Sequence, residues 1–318
     1  MPFPCIIDTD VAIDDWMAIL YLLSSSQVDV RAITVAATGE AHAGPGVRTV
    51  QGLLALTNTR GVQVAAGRST PLRGQQAFPL LLRLAMDVRL LLRLPKPLES
   101  AADVDAAAVL TQEITRSPQP VTIVALGPLT NLAEALLATP SLAEKIARIV
   151  IMGGALRVAG NIREISPRID NSYAEWNIFC DPYAADVVLQ SGAPITLVPL
   201  DATNQAPLDD AFVERLASGP ATPSSQFVLQ AIRRIQRLLR GQTFYLWDPL
   251  AAVIAVQDGL AVKEQVRLRV CQEPGPGLGR VVEDPGGGFV DVCTAIDRAT
   301  FEQEYLQALA HPVGMGDY

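Results

Sequence analysis

The segment Ile6-Ile7-Asp8-Thr9-Asp10-Val11-Ala12-Ile13-Asp14-Asp15 places four carboxylates within eight residues, directly after a short apolar run. Pro4 to Ile7 reads as a buried strand, and Trp16, Ile19, Leu20 and Leu23 then recur at the helix period. The acids therefore fall at the carboxyl end of a strand and on the first turn of a helix. In an open α/β sheet that edge binds ligands. A helix N-terminus tolerates negative charge, but four acids this close repel one another, and raised pKa values or a hard metal ion must relieve the repulsion. The structural alternative is plain capping by Asp14 and Asp15, with Asp8 and Asp10 solvated.

The same strand-then-helix grammar runs along the chain. Strand-like runs at Val30 to Ala36, Val62 to Ala65, Val121 to Leu126, Ile149 to Met152 and Ile195 to Val198 alternate with helical periods, as in a parallel sheet. Helices are expected at Gly46 to Leu56, Leu80 to Leu94, Val104 to Arg116, Leu129 to Ala138, Pro182 to Gln190, Ser224 to Arg240, Trp247 to Val256 and Thr300 to Ala310. Between Gln265 and Val292, turn-rich Pro-Gly segments split short strands, which predicts a small antiparallel appendix. The stretch from Arg157 to Ala174 reads as a long irregular loop, and such loops are often functional. No linker cuts the chain, so residues 1–318 are expected to form one large α/β domain with a mainly parallel, Rossmann-like sheet flanked by helices.

Charge narrows the partners. A net charge of -8 argues against nucleic acid or an anionic membrane, and favours a small polar substrate. Apolar runs such as Pro79 to Leu84 are short and interrupted by Arg83, Arg89 and Arg93, so no membrane span is expected. The N-terminus lacks a basic segment followed by an apolar stretch, which makes the cytoplasm the expected compartment. Cys5, Cys180, Cys271 and Cys293 show no C-x-x-C spacing and read as buried free thiols.

Three further places carry polar residues at ends of elements. Ala125-Leu126-Gly127-Pro128-Leu129-Thr130-Asn131 runs from strand through a Gly-Pro turn into a helix, leaving carbonyls such as that of Leu126 free to face the mouth of the sheet. Taken alone this is an ordinary connection. In Glu175-Trp176-Asn177-Ile178-Phe179-Cys180-Asp181-Pro182, Asp181 reads as an N-cap with Pro182 at N1, which leaves Glu175 and Asn177 without a capping explanation. In Tyr245-Leu246-Trp247-Asp248-Pro249 another acid opens a helix, and capping would suffice for it.

Together these residues resemble the inosine-uridine nucleoside hydrolase family, in order and through nearly the whole chain. The signature D-T-D-x-x-x-D-D stands at Asp8 to Asp15, with Val11-Ala12 in place of the usual Pro-Gly; G-P-L-T-N stands at Gly127 to Asn131, G-N at Gly160-Asn161, E-[FW]-N at Glu175 to Asn177, and the late acid at Asp248. The resemblance implies a Ca²⁺ ion held by Asp10, Asp15, the Leu126 carbonyl and Asp248, consistent with an ion that takes roughly six to eight oxygen ligands. It further implies Asp10 as general base, Asp14 and Asn177 on the ribose 2'-hydroxyl, Asp248 on the 3'-hydroxyl, Asn161 and Glu175 on the 5'-hydroxyl, and Glu40 as another ribose-side group. The implied enzyme is a ribonucleoside hydrolase, a homodimer or homotetramer that cleaves the N-glycosidic bond.

The leaving group is where the chain departs from the pattern. Members of broad base preference carry a His before the late Asp as proton donor, whereas Trp247 stands here and the chain has only two histidines, His42 and His311. The Trp-Asp pair resembles the purine-preferring branch, in which indoles sandwich the base, so purine preference is expected. Phe78-Pro79-Leu80-Leu81-Leu82-Arg83 resembles that branch's F-P-x-E-W-R, but leucines replace the acid and the first Trp. Trp176, Phe244 or Tyr245 are candidates for the missing face, with core packing as the alternative for Trp176 and Phe244. His42 is a candidate substitute acid, with an exposed loop His as its alternative. Two rival classes remain: a non-catalytic ribose binder, and a phosphatase resembling haloacid dehalogenases, whose D-x-D-x-[TV] loop Asp8-Thr9-Asp10-Val11 imitates. The latter needs a well-placed Lys, and Lys96, Lys145 and Lys263 are the only lysines.

Overall fold

The computed structural model describes residues 1–87, 94–98, 104–238 and 243–311. Nine strands form one sheet: β1 (Phe3–Thr9), β2 (Val28–Val35), β3 (Gln63–Ala66), β4 (Val121–Ala125), β5 (Ile146–Met152), β6 (Ile195–Val198), β7 (Ala261–Val270), β8 (Val281–Glu283) and β9 (Gly288–Ile296). Their order is β3-β2-β1-β4-β5-β6-β9-β7-β8. β1 to β6 pair in parallel, β9 pairs in parallel with β6, and β7 pairs antiparallel with β8 and β9. The antiparallel strands are the expected appendix, and they continue the main sheet through the β6–β9 pairing.

The central parallel strands β1, β4 and β6 are buried on both faces, as a helix-covered parallel sheet requires. Along β1, Cys5 and Ile7 enter one core layer while Ile6 enters the other, which is the two-residue period of a strand. On the first face the helices Ile13–Ser24, Trp247–Val256 and Arg298–Ala310 pack together. Tyr305 closes that layer: it stacks on Tyr21 at 5.8 Å and its hydroxyl donates to the Met17 carbonyl at 3.1 Å.

The expected elements are present with ends shifted by a few residues. The helix expected over Leu80 to Leu94 is described as Leu80–Asp87, its remainder lying largely outside the described residues, and the helix expected over Ser224 to Arg240 is described as Pro223–Leu238. The expected irregular stretch contains a short helix, Ile162–Ile165, and the helix Asp210–Ser218 was not anticipated from periodicity. Among the described residues no helix is long and apolar enough to cross a membrane.

Topology selects one position for a site. The chain leaves β1 toward β2 and β3 on one side and returns to β4 on the other, so strand order reverses between β1 and β4. The crevice beyond the carboxyl ends of such a pair is where open α/β sheets bind ligands. The acid-rich turn follows β1, and Leu126-Gly127 follows β4, in register through Asp8 and Ala125.

Candidate active site at the sheet switch point

Asp10 is held by crowding. Directly after it, Val11 adopts φ 65° in the left-handed region although it is β-branched, a strain of about 1–3 kcal/mol that the surroundings must enforce. The Val11 amide donates to Thr9 Oγ1 at 3.0 Å and the Trp16 indole donates to the Val11 carbonyl at 2.9 Å. On the far side, a Cβ at Gly39 would lie 2.1 Å from Asp10 Oδ2, and one at Gly127 would lie 2.8 Å from Asp10 Cβ. Only glycine permits either approach. The Glu40 amide donates to Asp10 Oδ2 at 3.0 Å and the Ala41 amide to the Asp10 carbonyl at 2.9 Å.

Beside Asp10 the helix starts at Ile13 and Asp248 arrives on the first turn of Trp247–Val256. Asp14, Asp15 and Asp248 each bring one carboxylate oxygen into a cluster whose atoms lie within 4.8 Å of one another. Asp15 also caps its own helix, accepting from the Ala12 amide at 2.9 Å, and Thr9 Oγ1 donates to its other oxygen. The capping alternative thus accounts for one oxygen of Asp15 and for none of the remaining crowding. Burial, reinforced by neighbouring acids, raises Asp10, Asp14 and Asp248 well above the usual carboxylate range and pushes Asp15 up to about 7. Glu40, half-buried and facing Asp10, is pushed up to about 8.

Asp8 stands behind this cluster. It is fully buried, its Oδ1 accepting from Thr34 Oγ1 at 2.6 Å and from Asn131 Nδ2 at 2.8 Å, and burial pushes it up to about 7. A nucleophile of the dehalogenase type has to reach solvent or substrate, and Asp8 reaches neither.

The third side comes from the E-x-N segment. Glu175 caps the short helix Trp176–Cys180, accepting from the Asn177 and Ile178 amides at 2.8 and 3.2 Å and from the Gly154 amide at 3.0 Å. The expectation that capping leaves Glu175 unexplained is therefore corrected. Asn177 Nδ2 donates to the carbonyls of Leu126 at 2.8 Å and Met152 at 3.2 Å. Asn161 Oδ1 accepts from the Trp176 amide at 3.1 Å. The expected long loop before this segment is pinned by buried Asn171, which donates to the Leu278 carbonyl at 2.7 Å and accepts from the Tyr173 and Ala174 amides at 3.0 Å.

The aromatic candidates divide. Trp176 is buried, stacked on Phe78 at 4.6 Å and edge-on to Phe179, so it is packing and presents no free face. Trp247 is half-buried, with Phe244 edge-on at 4.8 Å and Tyr245 tilted at 5.7 Å. Leu81 is exposed and Leu82 half-buried. His42 opens the helix Ala43–Leu56 and pairs through Nδ1 with Asp87 Oδ2 at 2.5 Å. Sequence reasoning gave no role to Thr9 and Arg83, although both stand in the motifs, and missed Thr34 and Met152, which bond Asp8 and Asn177 and lie in no motif.

An all-oxygen set of clustered carboxylates, raised in pKa by burial and by one another, fits a hard cation. Residues 5–303 match the profile of the inosine-uridine preferring nucleoside hydrolases. The chain is 38% identical over 217 residues to the pyrimidine-specific ribonucleoside hydrolase RihA of Salmonella arizonae, covering 68% of this chain and 66% of that protein. It is 33% identical over 288 residues to uridine nucleosidase 1 of Arabidopsis thaliana, covering 88% of this chain and 82% of the relative. Its fold superposes on a plant nucleoside hydrolase, PpNRh1, with a TM-score of 0.86 at 29% identity, covering 98% of this chain and all of that one. The chain belongs to the inosine-uridine preferring nucleoside hydrolase family.

Proposed function

We propose that this protein hydrolyses the N-glycosidic bond of ribonucleosides, with Ca²⁺ as the resident metal and a preference for purines. The observation that carries the reading is the meeting of Asp14, Asp15 and Asp248 beside Asp10 at the crevice between β1 and β4, where strand order reverses. Asp10, Asp15, Asp248 and the Leu126 carbonyl would hold the ion, which when bound lowers the pKa of a coordinated water.

Bond cleavage proceeds through an oxocarbenium-like state at the anomeric carbon, attacked by water from one face. Asp10 takes the proton from that water as its oxygen bonds to the sugar, and the C–N electron pair leaves with the base. Asp14 and Asn177 hold the 2'-hydroxyl. Because Asn177 Nδ2 is committed to the Leu126 and Met152 carbonyls, its Oδ1 is the atom that accepts from the sugar. Asp248 holds the 3'-hydroxyl. On Asn161, Oδ1 is committed to the Trp176 amide, so Nδ2 donates to the 5'-oxygen beside Glu175. Glu40 closes the ribose side.

At the leaving base, Trp247 supplies one face of a stack, and solvent supplies the proton because no histidine precedes Asp248. Similarity to a pyrimidine-specific hydrolase supports a second reading, in which the same site prefers uridine and cytidine. Ribose release from a panel of purine and pyrimidine nucleosides, with and without added Ca²⁺, tests both; no release from any nucleoside would leave only a ribose binder. The same reading takes the enzyme as a homodimer or homotetramer, checked by light scattering.

A further inference from the structure

Arg83, in the helix Leu80–Asp87, is the only basic side chain more than nine-tenths buried among the described residues. A desolvated guanidinium normally lies against a carboxylate. Arg83 instead spends one nitrogen, Nη2, on two backbone carbonyls, those of Ala37 at 2.7 Å and Ala41 at 3.3 Å, and among the described residues its buried Nε has no partner. Those carbonyls bracket Thr38-Gly39-Glu40. From the opposite side the same turn gives its Glu40 and Ala41 amides to Asp10, and Gly39 presses against the Asp10 carboxylate.

The turn is thus pinned between a buried cation and Asp10, the proposed general base. We propose that Arg83 is a positioning residue, which fixes the 37–41 turn so that the Glu40 side chain faces the ribose and the Glu40 amide orients Asp10. Charge is part of the device: the buried cation attracts the carbonyl dipoles of Ala37 and Ala41 and so holds both ends of the turn whose Glu40 and Ala41 amides donate to Asp10. The proposal rests on the roles given to Glu40 and Asp10 above.

The test is a double-mutant cycle on kcat and KM in the full-length, Ca²⁺-loaded enzyme, using Arg83→Met, Arg83→Lys and Glu40→Gln. Arg83→Met should raise KM and lower kcat, together costing at least about tenfold in kcat/KM. Arg83→Lys should recover much of that loss, because a single nitrogen makes both contacts. Arg83→Met combined with Glu40→Gln should be little worse than the more impaired single variant, since coupled residues do not add. Additive losses, a lysine variant as impaired as the methionine one, or Arg83→Met with normal kcat/KM would each overturn the proposal. If Arg83→Met fails to fold, Arg83→Lys carries the cycle. If Glu40→Gln alone leaves KM unchanged, the ribose role of Glu40 fails instead, and kcat of the two Arg83 variants decides whether Asp10 is oriented through the turn.

Discussion

Asn177 donates its side-chain amide to the Leu126 carbonyl at 2.8 Å, so the residue assigned to the ribose also fixes the orientation of a carbonyl assigned to the metal. A carbonyl has two lone pairs, and one remains for a cation. Groups that orient metal ligands typically govern affinity by about 10–100-fold. Asn177→Leu should therefore weaken Ca²⁺ binding by roughly that factor as well as raising KM, with calorimetric titration of Ca²⁺ as the measurement. Unchanged Ca²⁺ affinity would confine Asn177 to the sugar.

Asp10 and Asp8 are two residues apart and should respond differently to the same change. In the proposed mechanism Asp10→Asn removes the base and a metal ligand together, and should lower kcat by at least about a thousandfold. Among the described residues the Asp8 side chain accepts hydrogen bonds from Thr34 and Asn131, and its buried Oδ2 has no partner there. Asp8→Asn should act through thermal stability, with a much smaller change in kcat. Near-normal turnover by Asp10→Asn would move water activation to another group.

Metal removal should expose the cost of the crowded acids. Asp8 and Asp15 are pushed up to about 7 and Glu40 to about 8, against roughly 4 in an unfolded chain. The folded state therefore binds more protons than the unfolded state between about pH 4 and 8, and its stability falls as pH rises through that window. Chelated protein should melt at a progressively lower temperature from pH 5.5 to pH 8. Ca²⁺ should flatten the slope and restore activity, while Mg²⁺, with its small octahedral shell, should do so poorly. A chelated protein with full activity and a flat profile would exclude the metal.

Much of this was legible in the sequence, for identifiable reasons. The central parallel strands are continuous apolar runs because both faces are buried, and Asp8 to Asp15 mark the end of β1 because capping uses one oxygen of Asp15 and leaves the crowding of the other acids unexplained. Glu175 was misjudged: its capping role depends on a five-residue helix too short to show periodicity. Trp176 carries the same letter as a base-stacking residue, and only the packing of Phe78 and Phe179 against it reveals a core position. Arg83 was visible in a motif but its carbonyl partners lie more than forty residues away in sequence, where no local pattern points.

In the proposed mechanism base preference turns on Trp247. Phe244 and Tyr245 meet its ring at steep angles and hold the indole from the side, so they support it as a platform without forming a second parallel slab. With Trp176 committed to the core and leucines at positions 81 and 82, the stack is one-sided. A stacked aromatic contact contributes about 0.5–1.5 kcal/mol beyond burial, which corresponds to a modest preference of roughly two- to tenfold for the larger purine ring. Trp247→Ala should lower kcat/KM for inosine, adenosine and guanosine by more than for uridine. His42 is tied to Asp87 and opens a helix, so His42→Ala should leave the ratio between nucleosides unchanged. A nitrophenyl riboside, whose leaving group needs no proton, should be cleaved well by both variants relative to natural nucleosides. Equal losses for purines and pyrimidines in Trp247→Ala would remove the stack from the mechanism and favour the pyrimidine reading, whereas loss of natural nucleosides alone in His42→Ala would make that histidine the acid.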